Sequence, residues 1–205
     1  MPYENFVDDP EHITALEGER FVVMRPELAL RKCHGQAQDT LRQRLAGLPA
    51  SFPACAHVTL AGFPAGTPLE AVQDLVAGWV CGVHPLRISV ERAASFPAPF
   101  QIAVLQVRKT EALFAALLEI RQLAEQRGLK GFAGIPAEEW TFHMSLAYCP
   151  NLSADEWASV VQFMEAMRVP KVSAMQRTVE IVAFDGGSER SGGVYSLQRI
   201  GNLSP

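Results

Sequence analysis

Two short stretches hold the residues best suited to chemistry, Ala56-His57-Val58-Thr59-Leu60 and Phe142-His143-Met144-Ser145-Leu146. In an extended segment, side chains two apart share a face. His57 therefore lies beside Thr59, and His143 beside Ser145. The opposite faces, Ala56, Val58, Leu60 and Gly62 in one stretch and Trp140, Phe142, Met144, Leu146 and Tyr148 in the other, read as core. An unperturbed imidazole titrates near neutral pH, so one of a pair can accept a proton while the other donates one. A neighbouring hydroxyl can donate to the non-bridging oxygens of a phosphate as charge builds on them. Two such units across a cleft suit in-line displacement at phosphorus: one histidine activates water, and the other protonates the leaving alkoxide. The spacing is not that of metal ligands and no carboxylates stand near, so neither metal nor cofactor is expected.

Eighteen residues are Ser or Thr, so five histidines give roughly half a His-x-Ser/Thr match by chance. A third match, His12-Ile13-Thr14, sits in a polar, acidic segment without strand pattern and is read as the chance one. The other two lie on apolar stretches at equivalent places in two similar halves. The elements that must position them follow from periodicity and turn residues. Strands are predicted over 21–24, 56–63, 86–94, 100–107, 140–148, 172–184 and 194–200. Helices are predicted over 30–48, 68–79, 110–127 and 153–167. Thr67, Thr110 and Ser153 are the expected caps, the last in a capping box with Glu156. The Gly/Ser-rich loop 186–193 is expected to be mobile. The stretch Phe96-Pro97-Ala98-Pro99 is the clearest break. Each half then reads strand–helix–strand–helix–strand, with one strand added at the end. This order predicts an α+β fold of two pseudo-symmetric lobes, antiparallel sheets with outer helices, around a central cleft. Residues 1–19 form an N-terminal extension, and 20–205 a single bilobal domain with halves of about 20–97 and 100–203.

Composition fits this plan. The 205 residues are 48% hydrophobic and 20% charged, with a net charge of −4, and mean hydropathy is +0.07. Such a chain buries a sizeable core. It lacks the basic balance of a protein that grips duplex nucleic acid, so duplex DNA is not an expected partner. A small phosphate ester or an RNA end is. The four cysteines form no CxxC pair, the N-terminal stretch lacks a signal-peptide pattern, and no apolar run reaches membrane-spanning length. A cytoplasmic monomer without membrane contact is expected.

The paired motifs resemble those of the 2H phosphoesterase superfamily, named for two His-hydrophobic-Thr/Ser-hydrophobic units. Its members include cyclic nucleotide phosphodiesterases and bacterial 2′-5′ RNA ligases. His143-Met144-Ser145-Leu146-Ala147-Tyr148, Leu152-Ser153-Ala154-Asp155-Glu156, Phe100-Gln101 and Asn202-Leu203 resemble segments of the cyclic phosphodiesterase branch. The resemblance runs from about residue 21 to the C-terminus. It implies catalytic roles for His57 and His143, phosphate binding by Thr59 and Ser145, and substrate contact by Tyr148 and Phe100. It also implies a two-lobed fold around a water-filled cleft and enzymes that need no metal. The branch's stacking Trp on the first strand falls at Val23 here, so stacking at that point is not carried over.

Among the neighbours, Tyr148 lies on the core face by parity, unless a bulge turns it toward the cleft. Phe63 shares parity with His57, and is either a stacking residue or a loop-packing aromatic. Phe100 is either a contact or core. Arg25 ends the first strand and is either a phosphate ligand or a solvated cation. Arg190 lies in the loop expected to be mobile, and 131–138 is either a lid or an ordinary connection. His34 and His84 read as surface or turn residues. The expected function is hydrolysis of a ribose cyclic phosphate, either a 2′,3′-cyclic nucleotide or ADP-ribose 1″,2″-cyclic phosphate. The alternatives are 2′-5′ RNA end processing and a non-catalytic nucleotide-binding module.

Overall fold

The computed structural model describes residues 7, 9–131 and 135–198. The elements run α1 (Pro10–Ala15), β1 (Arg20–Met24), α2 (Leu28–Arg44), β2 (Val58–Phe63), α3 (Leu69–Val80), β3 (Leu86–Phe96), β4 (Ile102–Val107), α4 (Glu111–Gln126), β5 (His143–Tyr148), α5 (Ala154–Ala166), β6 (Ser173–Gln176), β7 (Thr178–Phe184) and β8 (Glu189–Ser196). Two antiparallel four-stranded sheets result, ordered β2-β1-β7-β8 and β5-β4-β3-β6. The α+β plan of two sheets with helices is as expected. Each sheet, however, takes strands from both halves of the sequence. β3 joins the second sheet, and β7 and β8 complete the first.

Helix starts follow the cap chemistry. Thr110 accepts from the Leu113 amide, and Ser153 and Glu156 form the capping box. Thr67 does not cap α3: its hydroxyl donates to the Pro64 carbonyl, and Pro68 is the cap residue. Apolar faces of α2, α3, α4 and α5 pack on the sheets in one continuous core that includes Val22, Met24, Val58, Leu75, Leu105, Leu117, Met144 and Val160.

Three expected spans are corrected. The run 172–184 is two strands, because Leu86 pairs with Gln176 in one sheet while Thr178 pairs with Ser196 in the other. The stretch 186–193 is not a mobile loop. A tight turn passes Gly186 and Gly187, whose amides both donate to the Glu17 carboxylate, and the chain returns at once as β8. Gly192 is required there, since a Cβ would lie 2.8 Å from Leu69 Cδ1 and 2.9 Å from Ile181 Cγ2. β4 starts at Ile102 rather than at Phe100. Asn202 and Leu203 lie outside the described residues, as does part of 131–138. Among the described residues, no helix is long and apolar enough to cross a membrane.

Candidate active site

β2 of the first sheet and β5 of the second run beside each other, and each carries one motif. Both strands contain a bulge at the same place, directly after the motif hydroxyl. Val22 pairs with Ala61 and Val23 with Thr59, which leaves Leu60 as the extra residue. Ala103 pairs with Ala147 and Val104 with Ser145, which leaves Leu146 as the extra residue. An inserted residue reverses which face the following side chains meet. This settles two open readings. Phe63 rejoins the face of Val58 and Ala61 and is 1% exposed in the core, so its parity with His57 does not carry it to the cleft. Tyr148 turns the other way, onto the face of His143 and Ser145, and its hydroxyl is hydrogen-bonded with the Ser145 side chain.

The two histidines are held alike. His143 Nδ1 lies 2.8 Å from the Thr141 carbonyl, two residues earlier. A carbonyl only accepts, so Nδ1 carries the proton and Nε2 is the atom left for chemistry. The Cys55 carbonyl, again two residues earlier, acts on His57 in the same sense. Burial pushes the His57 pKa well below the usual imidazole value. The cationic Arg25 adds to this, followed by His143 and His34. Burial also lowers His143, against the opposing pull of the Thr141 carbonyl. Phe96 meets the His143 ring edge-on at 4.8 Å. Burial raises the Tyr148 pKa, with the Ser145 hydrogen bond opposing and Glu189 adding to the rise.

Arg25 is part-buried and already paired. Its Nε donates to Glu180 at 2.7 Å, one Nη to Glu189 at 3.4 Å and the other to Cys55 Sγ at 2.8 Å. Glu180 and Glu189 are buried on the same face of the first sheet as Thr59 and Val23. Phe100 is 62% exposed and lines an outer hollow with Tyr148 and His12. Arg190 is exposed, and so is His84.

Sequence reasoning missed two residues of α2. His34 is 4% exposed, not at the surface, and its Nε2 lies 2.7 Å from the Ser145 carbonyl. One turn on, Gln38 Nε2 donates to the Leu146 carbonyl at 3.1 Å and the Pro53 carbonyl at 2.9 Å. The pair holds the carbonyls of the β5 motif and its bulge from a helix of the first half. Leu30, His34, Gln38 and Leu41 lie one turn apart on the buried face, and that spacing was the signal to read. Burial lowers the His34 pKa, with the Ser145 hydrogen bond opposing. A histidine lowered in the native state binds its proton more readily when unfolded. Its stabilising contribution is complete above the unfolded value near 6.5 and is lost as pH falls through 6.5. His34→Gln, which keeps a donor and removes the titration, is expected to flatten the fall in melting temperature between pH 7.5 and 5. His34→Leu is expected to cost about 1–3 kcal/mol at pH 7.5 through the lost donor. Equal acid sensitivity in His34→Gln and the parent would contradict the first expectation.

A family model described as the 2′-5′ RNA ligase superfamily matches residues 26–187. The chain belongs to this superfamily of 2H phosphoesterases. Solved structures share its fold. TT0787 of Thermus thermophilus has a TM-score of 0.62 and 17% identity, covering 89% of this chain and 99% of the other. Apo E. coli LigT has a TM-score of 0.61 and 14% identity, covering 89% and 98%. E. coli LigT complexed with 3′-AMP has a TM-score of 0.54 and 12% identity, with the same coverage. No curated protein sequence matches significantly. Membership in the superfamily makes phosphoester chemistry the natural reading of the paired motifs.

Proposed function

We propose that the chain is a metal-independent phosphodiesterase that hydrolyses a ribose cyclic phosphate. The supporting observation is the matched pair of imidazoles, His57 buried and His143 part-buried, each with a hydroxyl two residues on and a carbonyl two residues back. In this reading His57 is the general base and His143 the general acid. Burial disfavours the charged form of both rings and each has one carbonyl that favours it, but only His57 also has the charges of Arg25 and His143 acting to keep it neutral. A water gives its proton to His57 as its oxygen attacks phosphorus in line. The phosphorus–oxygen bond to one ribose oxygen breaks, and the His143 Nε2 proton passes to that oxygen. Thr59 and Ser145 donate to the non-bridging oxygens, with Tyr148 beside Ser145 as a further contact. The likeness to the cyclic phosphodiesterase branch supports a 2′,3′-cyclic nucleotide or ADP-ribose 1″,2″-cyclic phosphate as substrate.

The test is hydrolysis of 2′,3′-cyclic AMP in EDTA across pH. Both histidines are lowered in the free enzyme, so kcat/KM is expected to follow a bell whose maximum lies below pH 6.5. An EDTA-sensitive reaction, or a rate that climbs steadily through pH 8, would overturn the mechanism. The description of the matched family favours keeping a second reading, cleavage or joining of 2′-5′ RNA ends. Turnover of 2′-5′-linked dinucleotides in place of cyclic nucleotides would select it. AMP binding without turnover of either would make the chain a binding module.

A further inference from the structure

The cleft face of the first sheet is occupied by the protein's own N-terminal segment. Val7 is 2% exposed and packs with Val23, Cys55, Val182 and Phe184. Its amide donates to Glu189 Oε2 at 3.1 Å. Ile13 and Leu16 extend the same apolar contact, and His12 meets the Tyr148 ring edge-on at 4.5 Å. Asp9 fixes the turn between, accepting from the Glu11 and His12 amides at the start of α1. His57, 7% exposed, follows Cys55 of this cluster by two residues. Val7 thus offers the cleft what a flat heterocycle with one N–H edge would offer: an apolar body against Val23, Val182 and Phe184, and a donor to a buried carboxylate.

We infer that Val7 is a specificity-determining residue, occupying from within the chain the part of the cleft that a nucleobase would take. A ribose phosphate without a base reaches the histidines with Val7 in place. A nucleotide must first displace Val7, and its apparent affinity is lowered by the fraction of molecules in which Val7 is bound. The base that displaces it has to present a donor to Glu189, since that carboxylate otherwise loses the Val7 amide inside the protein. Adenine and guanine carry such donors. The hollow that remains open, lined by Asp9, Glu11, His12, Phe100 and Tyr148, has two carboxylates on its wall, which disfavours entry of a phosphate from that side. The inference rests on the cleft being the site proposed above, but it is tested by binding rather than by turnover.

Two measurements on the full chain decide it. The first is amide hydrogen exchange at Val7 with and without AMP. Exchange is expected to speed up at least about tenfold when AMP saturates, because the amide is released from Glu189. AMP that binds while Val7 exchange stays the same or slows would overturn the proposal, and so would failure of AMP to bind at all. The second is calorimetric titration of Val7→Ala with AMP and with inorganic phosphate. AMP is expected to tighten by a larger factor than phosphate. Equal factors would show that Val7 does not discriminate against a base. If Val7→Ala does not fold, the exchange measurement on the unaltered protein still decides. Release of Val7 by AMP without hydrolysis of any cyclic phosphate would sink the catalytic reading and leave this one standing.

Discussion

Changing either His57 or His143 to Ala is expected to lower kcat for a 2′,3′-cyclic nucleotide by about 10²–10⁴-fold, the usual scale of one positioned acid or base. The double variant should be hardly worse than the slower single one. A base that frees a nucleophile and an acid that frees a leaving group serve one transition state, and groups acting as a unit are not additive. The two singles differ in a second respect. His143 is among the charges that lower His57, so removing His143 should raise the titration of His57 toward 6.5. In His143→Ala the surviving pH limb is then expected at higher pH than the corresponding limb of the parent. Turnover retained within tenfold in either variant would remove that histidine from the reaction. An unmoved limb would show that the two rings do not sense each other. Melting curves check that both variants fold. His57→Ala truncates a buried ring, and His143→Ala also removes the edge contact of Phe96.

The largest effect on stability is expected at Arg25. Its guanidinium joins Glu180 and Glu189, whose side chains are 8% and 0% exposed. Arg25→Met leaves two carboxylates inside the cleft wall without their cation, and breaking a buried pair from one side costs about 3–5 kcal/mol. The Arg25 side chain itself is 23% exposed, which places the expectation toward the lower figure. Adding Glu180→Gln and Glu189→Gln should restore most of the loss, because the neutral amides remove the uncompensated charge. Urea unfolding of the single and triple variants measures both. A loss below about 1 kcal/mol in Arg25→Met would mean that water already screens the group. The same ion pairs explain why a phosphate is not expected to find Arg25 available: two carboxylates already neutralise it.

The residues proposed to carry the chemistry were legible because each motif sits on an apolar strand with its polar atoms on one face. What followed the motifs was not. Leu60-Ala61-Gly62 and Leu146-Ala147 continue as unbroken small and apolar runs, and nothing in them marks the extra residue that reverses the alternation. Strict parity therefore put Phe63 in the cleft and Tyr148 in the core, and the bulges exchange the two. The Gly-Gly-Ser-Glu-Arg-Ser-Gly-Gly run reads as a linker by composition. Its strand character comes from pairing with β7 and from the close pass of Gly192 against Ile181, neither of which is a local property. The division of 172–184 at Arg177 has the same origin: a continuous strand-favouring run is shared between two sheets by partners far away in the chain. His34 was misread because a lone histidine on a basic, Gln-rich helix resembles a solvated one. Its partner, the Ser145 carbonyl, belongs to a strand 111 positions later.

The exchange of strands between the two sheets has a consequence for how the protein comes into being. Arg20 pairs with Ala183 across β1 and β7, and β8 attaches only beyond that. On the ribosome, the sheet that carries His57 can form only its β1–β2 pair until β7 has been made. Contacts so distant in sequence also make folding slow, because the long loop must close before the pairing rewards it. The cleft face of that half-built sheet, with Val23 and Phe21 uncovered, is then a sticky surface with an open edge. Val7 and α1 precede β1, but of the residues that hold Val7 only Val23 and Cys55 are present until Val182, Phe184 and Glu189 emerge. The segment that competes for the cleft and the sheet it covers are thus completed together, when the last strands arrive.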